Sequence, residues 1–122
     1  MTKASENSGI SSRLLLFGAT GDLAKRMLLP SLFALHEDGL IAPDLRIVGT
    51  ARSEMSDEDY RALAAEALSE YLPEDRKGNG QLQTFLERLS YQPLDARKSE
   101  GYDALSGKLG DISGGLAIFL ST

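Results

Sequence analysis

Apolar positions along this chain follow two rhythms. Residues 13–18 (RLLLFG), 45–51 (LRIVGTA) and 114–122 (GGLAIFLST) are short, nearly continuous apolar runs marked off by glycine or polar residues. Runs of that length read as buried strands. A weaker run, 90–96 (SYQPLDA), is interrupted by Pro93. Between the runs the spacing turns helical. Residues 21–39 carry apolar side chains at 23, 24, 27, 28, 32 and 35 and stop at Gly39, which predicts a helix. Pro30 lies inside it. Proline lacks an N–H and its ring collides with the carbonyl four residues back, so this helix is expected to kink or divide in two. The most regular helix is predicted over 56–72, with Ser56 as N-cap and Asp59 placed for a weak capping box. Its stripe is Tyr60, Leu63, Ala64, Ala67, Leu68 and Tyr71. Residues 73–80 read as a polar loop, and 81–89 and 99–111 as shorter helices. The order β-α-β-α-α-β-α-β predicts an α/β fold, a parallel sheet with helices on both faces.

Composition narrows the functional classes. The chain has 122 residues, 42% apolar and 25% charged, which suits one globular domain. Residues 1–12 are small and polar without the apolar core of a signal peptide, and are expected to be a disordered lead-in to a folded part over 13–122. No apolar run reaches the roughly 18 residues needed to span a bilayer, so no membrane partner is expected. Cysteine is absent, which excludes disulfides and thiolate metal sites and fits a cytoplasmic location. A net charge of −5 argues against a nucleic-acid surface. A phosphate ligand would have to be held by local geometry.

Such a geometry is suggested where the first strand meets the first helix. Gly18, Gly21 and Ala24 give G-x-x-G-x-x-A, a variant of the dinucleotide turn G-x-G-x-x-G. Gly18 would let the chain turn sharply, Gly21 would let backbone N–H groups approach a pyrophosphate, and Ala24 would let the helix lie close on the sheet. The N–H groups and partial positive charge of the helix start form an anion site. Thr20 suits either a hydroxyl donor to phosphate or a helix N-cap. Asp22 would complement the helix dipole yet compete with phosphate for the same N–H groups, so a structural role is favoured for it. Lys25 and Arg26 stand one turn in, where such bases are commonly solvated. The predicted fold is thus Rossmann-like, its first, mononucleotide-binding half. Folds of this kind that prefer NAD carry an acid at the end of strand two. Here that strand runs into Arg52 and Ser53. An arginine there can grip a 2′-phosphate in bidentate fashion, which points to NADP. The other reading is a surface arginine opening a loop.

The segments LFGATGDLAKRMLLPSLF, IVGTARS and IFLST resemble, in order and spacing, the start of the glucose-6-phosphate dehydrogenase family, over about residues 13 to 122. The resemblance implies NADP-dependent oxidation of glucose 6-phosphate at C1 to 6-phosphoglucono-lactone, in the pentose phosphate pathway, by an enzyme that is a homo-oligomer when full length. Carried onto this sequence, Gly18, Ala19, Thr20, Gly21, Asp22, Leu23, Ala24 and Lys25 would cradle the pyrophosphate. Arg52 would hold the 2′-phosphate, Asp95 and Ala96 would border the adenine, and Ser121 would begin the segment passing the cofactor after the last strand. Met27 departs from the pattern, since many members have a third base there.

The family's catalytic segment, R-I-D-H-Y-L-G-K-E, does not occur in these residues, and the sequence stops inside an apolar strand. The expectation is therefore a truncated, catalytically inactive coenzyme-binding portion. A non-catalytic NADP-binding module and a non-functional truncated reading frame are the alternatives. The single histidine, His36, sits beside Glu37 and Asp38 at a predicted helix end, a structural place.

Overall fold

The computed structural model describes residues 12–42, 44–73, 80–95, 99–110 and 115–120. Most of the expected lead-in, most of the 73–80 loop, Ala96 and Ser121 lie outside them. Four strands form: β1 (Arg13–Phe17), β2 (Arg46–Ala51), β3 (Leu89–Pro93) and β4 (Leu116–Leu120). They make one sheet in the order β3-β2-β1-β4, with every pairing parallel. The helices are α1 (Leu29–Glu37), α2 (Asp57–Tyr71), α3 (Leu82–Leu86) and α4 (Ser99–Leu109), with a π-helical turn over Ala24–Leu28 leading into α1.

β1 is central, so both of its faces are buried and its sequence is continuously apolar. Leu14 and Leu16 point to one side, where Leu29, Leu32 and Phe33 of α1, Tyr60, Ala64 and Leu68 of α2, and Phe85 and Leu86 of α3 form the larger core. Leu15 points to the other, where it meets Val48, Leu94, and Leu105 and Leu109 of α4. β4 lies at the edge, with Ile118 and Leu120 53% and 70% exposed.

The predicted order of elements holds, and two differences have clear causes. The helix expected to kink or divide at Pro30 is an unbroken helical path from Asp22 to Glu37 that takes up the proline through one widened turn. Leu29 N–H donates to the Ala24 carbonyl, five residues back, just ahead of Pro30. The extra residue shifts the helical phase. Of the predicted stripe, Ala24 and Leu32 are buried and Leu28 packs half-buried against the core, while Leu23, Met27 and Leu35 are exposed and Leu29 and Phe33 are buried in their place. The helix predicted over 81–89 stops at Leu86, because Leu89 is fully buried as the first residue of β3, paired with Ile47. α2 follows the prediction: the Ser56 hydroxyl accepts from Asp59 N–H at 3.0 Å. Only Tyr71, at its end, leaves the stripe and takes the Arg26 guanidinium over its ring at 5.7 Å.

His36 is structural, joining α1 to α3. Arg88 Nε donates to its Nδ1 at 3.0 Å, so the ring proton belongs on Nε2, which donates to Thr84 Oγ1 at 3.0 Å. Thr84 in turn donates to the Gln81 carbonyl at 2.9 Å. Burial, then the Arg88 charge, hold the pKa of His36 below its ordinary value, with Glu37 opposing. The unfolded chain takes up a proton near the usual pKa of about 6.5, which folded His36 resists. Stability is therefore expected to fall as pH drops through that value, down to the lowered folded pKa. His36→Gln should flatten this limb in urea midpoints taken between about pH 7.5 and 5.5. An identical slope in the variant would show that His36 does not carry it.

Candidate functional site: the carboxyl edge of the sheet

The carboxyl ends of β1, β2 and β3 are knotted together by backbone. Gly18 follows β1 with φ of +75°, a conformation that favours glycine. The N–H groups of Gly18 and Ala19 both donate to the Thr50 carbonyl, at 2.9 and 3.1 Å, and Gly21 N–H closes the turn on the Gly18 carbonyl at 2.9 Å. Thr50 is fully buried, and its hydroxyl donates to the Gln92 carbonyl of β3 at 2.7 Å. Ala19 is also fully buried, and its carbonyl accepts from the Tyr60 hydroxyl at 3.1 Å.

Gly49 makes this packing possible. A Cβ there would lie 2.7 Å from Ala19 Cβ and 3.1 Å from two atoms of the Tyr60 ring. Sequence reasoning missed Gly49, Thr50 and Tyr60 as supports of the turn. A glycine inside the strand IVGTA is the signal that points to a close approach.

Beyond the turn the helical path begins at Asp22. The N–H groups of a first helical turn have no carbonyl one turn back within the helix and carry partial positive charge. A Cβ on Gly21 would meet only the Gly18 carbonyl oxygen, at 3.3 Å, within 4 Å among the described residues, so this face of the turn is open. Thr20 is half-buried beside it. Ala24 is fully buried in the larger core, which brings the helical segment close to the sheet. Leu23 is 42% exposed. The Asp22 carboxylate accepts from Arg26 Nη1 at 3.3 Å, an exposed pair one helical turn apart. Such pairs contribute little to stability. Lys25 is half-buried and lines a groove with Asp59, Glu66 and Glu70 of α2.

At the carboxyl ends of β2 and β3, an open cleft of about 600 Å³ is lined by Arg52, Ser53, Glu54, Pro93, Leu94, Asp95 and Gly101. The register that pairs Ala51 with Pro93 brings Arg52 and Asp95 together, although 42 residues separate Thr50 from its partner Gln92 in sequence. Gly101, in the first turn of α4, lets that helix close the cleft: a Cβ would sit 2.8 Å from Leu94 Cδ1. Arg52 is exposed and makes no ion pair among the described residues. The loop after it is held by Tyr91, whose hydroxyl donates to the Ser53 carbonyl at 2.7 Å. Tyr91 N–H donates to Asp57 Oδ1 at 2.8 Å. Burial pushes the Asp57 carboxyl up, but this N–H and Lys108, whose Nζ is 3.0 Å away, outweigh it and hold the pKa below the ordinary value.

A parallel sheet whose central strand feeds a glycine turn, with a basic residue at the end of the next strand, has clear counterparts among known proteins. Residues 15–121 match the family described as glucose-6-phosphate dehydrogenase, NAD binding domain. The chain belongs to the glucose-6-phosphate dehydrogenase family. It is 43% identical over 111 residues to the glucose-6-phosphate 1-dehydrogenase of Zymomonas mobilis, covering 91% of this chain and 23% of that one. Against the Gluconobacter oxydans enzyme it is 45% identical over 95 residues, covering 77% and 19%. A glucose-6-phosphate dehydrogenase solved in complex with its substrate glucose-6-phosphate superposes with a TM-score of 0.80 at 28% identity, over 93% of this chain and 24% of that one. The chain thus spans about a quarter or less of the length of these dehydrogenases. Among the described residues no helix is long and apolar enough to cross a membrane.

Proposed function

We propose that this chain is the coenzyme-binding, N-terminal portion of a glucose-6-phosphate 1-dehydrogenase, and that it takes NADP at the carboxyl edge of its sheet. The observation that carries the reading is that the glycine turn after β1 is tied to Thr50 at the end of β2, two residues before Arg52, so that turn and arginine share one edge of the sheet. The helix start after the turn offers N–H donors to the pyrophosphate, while those of Gly18, Ala19 and Gly21 are bound within the fold and fix the turn's shape. Lys25 adds a cation one turn in. Arg52 faces the 2′-phosphate, and Asp95 borders the adenine. The bound nicotinamide supplies the hydride acceptor for C1 of glucose 6-phosphate. Removing a proton from the C1 hydroxyl needs a positioned base. His36 cannot serve, because both of its ring nitrogens are engaged by Arg88 and Thr84 in the joint between α1 and α3. The chain alone is therefore a binder without turnover.

The test has two arms on the purified 122-residue chain. Titration calorimetry should show saturable NADP+ binding, tighter than NAD+. An absorbance assay with NADP+ and glucose 6-phosphate should show no NADPH above a mock preparation. Absence of NADP+ preference overturns the assignment of the cleft, and measurable turnover overturns the binder reading.

A further inference from the structure

Two buried tyrosines connect the halves of the candidate site. The rings of Tyr60, on α2, and Tyr91, on β3, stack with centroids 5.2 Å apart and planes 29° apart. They are 0% and 2% exposed. If the sheet and α2 needed only their volume, phenylalanine would serve in both places. Each hydroxyl instead ends on the backbone carbonyl of a different loop. Tyr60 donates to Ala19 in the glycine turn, and Tyr91 donates to Ser53, next to Arg52. Tyr91 is further anchored through its N–H to Asp57, which Lys108 holds from α4. Gly49 leaves the space in which Tyr60 reaches Ala19.

We propose that Tyr60 and Tyr91 are a stacked pair of positioning residues, Tyr60 fixing the pyrophosphate turn and Tyr91 fixing the Arg52–Ser53 loop, so that Tyr91 helps to set the preference for a 2′-phosphorylated dinucleotide. The inference rests on the reading of the cleft given above. Both nucleotides need the turn, and only NADP needs the loop after β2. A buried hydrogen bond is worth enough to change affinity by about 2- to 10-fold. Tyr60→Phe should therefore weaken NADP+ and NAD+ by the same factor. Tyr91→Phe should weaken NADP+ by about 2- to 10-fold and leave NAD+ unchanged.

Phenylalanine keeps the ring stack, and calorimetry on the full chain gives both affinities. Amide hydrogen exchange supplies an independent reading. Tyr91→Phe should speed exchange at 52–54 and leave 18–21 alone, and Tyr60→Phe should do the reverse. A general loss of packing would move both loops and both nucleotides together. If wild type prefers NADP+, Arg52→Ala removes that preference and Tyr91→Phe does not change it, the positioning role is wrong while the site stands. If Arg52→Ala leaves the preference intact, the underlying reading of the cleft fails and the role of Tyr91 falls with it.

Discussion

Gly49→Ala is expected to destabilise the chain by about 1–3 kcal/mol, the usual cost of forcing a methyl group into a filled core. The new Cβ would stand 2.7 Å from Ala19 Cβ and 3.1 Å from the Tyr60 ring. Neither neighbour has free room. Ala19 belongs to a turn whose N–H groups are fixed to Thr50, and Tyr60 is fully buried against Tyr91. If the ring moves instead, the Tyr60–Ala19 hydrogen bond is lost, which adds about 0.5–1.5 kcal/mol. Urea denaturation measures the change as a lowered midpoint at constant slope. A variant within about 0.5 kcal/mol of wild type, the range of an ordinary surface substitution, would mean the turn yields easily. If the turn holds the pyrophosphate as proposed, the surviving protein should also bind both NADP+ and NAD+ more weakly.

Arg52→Ala is expected to weaken NADP+ selectively. A charge-assisted hydrogen bond from arginine is worth roughly 1.5–3 kcal/mol, or about 10- to 150-fold in affinity. Arg52 is the sole cation among the described residues lining the cleft. NAD+ has no 2′-phosphate, so its affinity should hardly change. Calorimetric titration of both nucleotides against wild type and variant separates the outcomes. Equal loss for both would make Arg52 a structural residue.

The strands were legible because each has a distinctive local pattern, and β1 most of all, since a central parallel strand must be apolar on both faces. α2 was legible because Ser56, the acids after it and the regular stripe agree. The phase of the first helix was not. A 3.6-residue period assumes α-helical turns, and past the widened turn ahead of Pro30 it selected Leu35 and passed over Leu29 and Phe33, while Ala24 and Leu32 are buried where it put them. At the site, glycine spacing after a strand singled out the turn, and the position just past the second strand singled out Arg52; both lie at the carboxyl edge of the sheet. The supports did not show. Thr50, Tyr60 and Tyr91 act across elements, and their partners are set by sheet register and helix docking, which no local spacing records.

The central claim is that the carboxyl edge of the sheet, from the glycine turn to Arg52, receives the nucleotide, and amide-resolved NMR titration of the 15N-labelled chain with NADP+ tests it most directly. The account predicts saturable shifts at residues 18–25 and at Arg52, Ser53 and Asp95, with those at Arg52 and Ser53 much reduced when NAD+ replaces NADP+. Shifts confined to the acidic groove along α2, around Asp59, Glu66 and Glu70, or an identical response of Arg52 to both nucleotides, would contradict it.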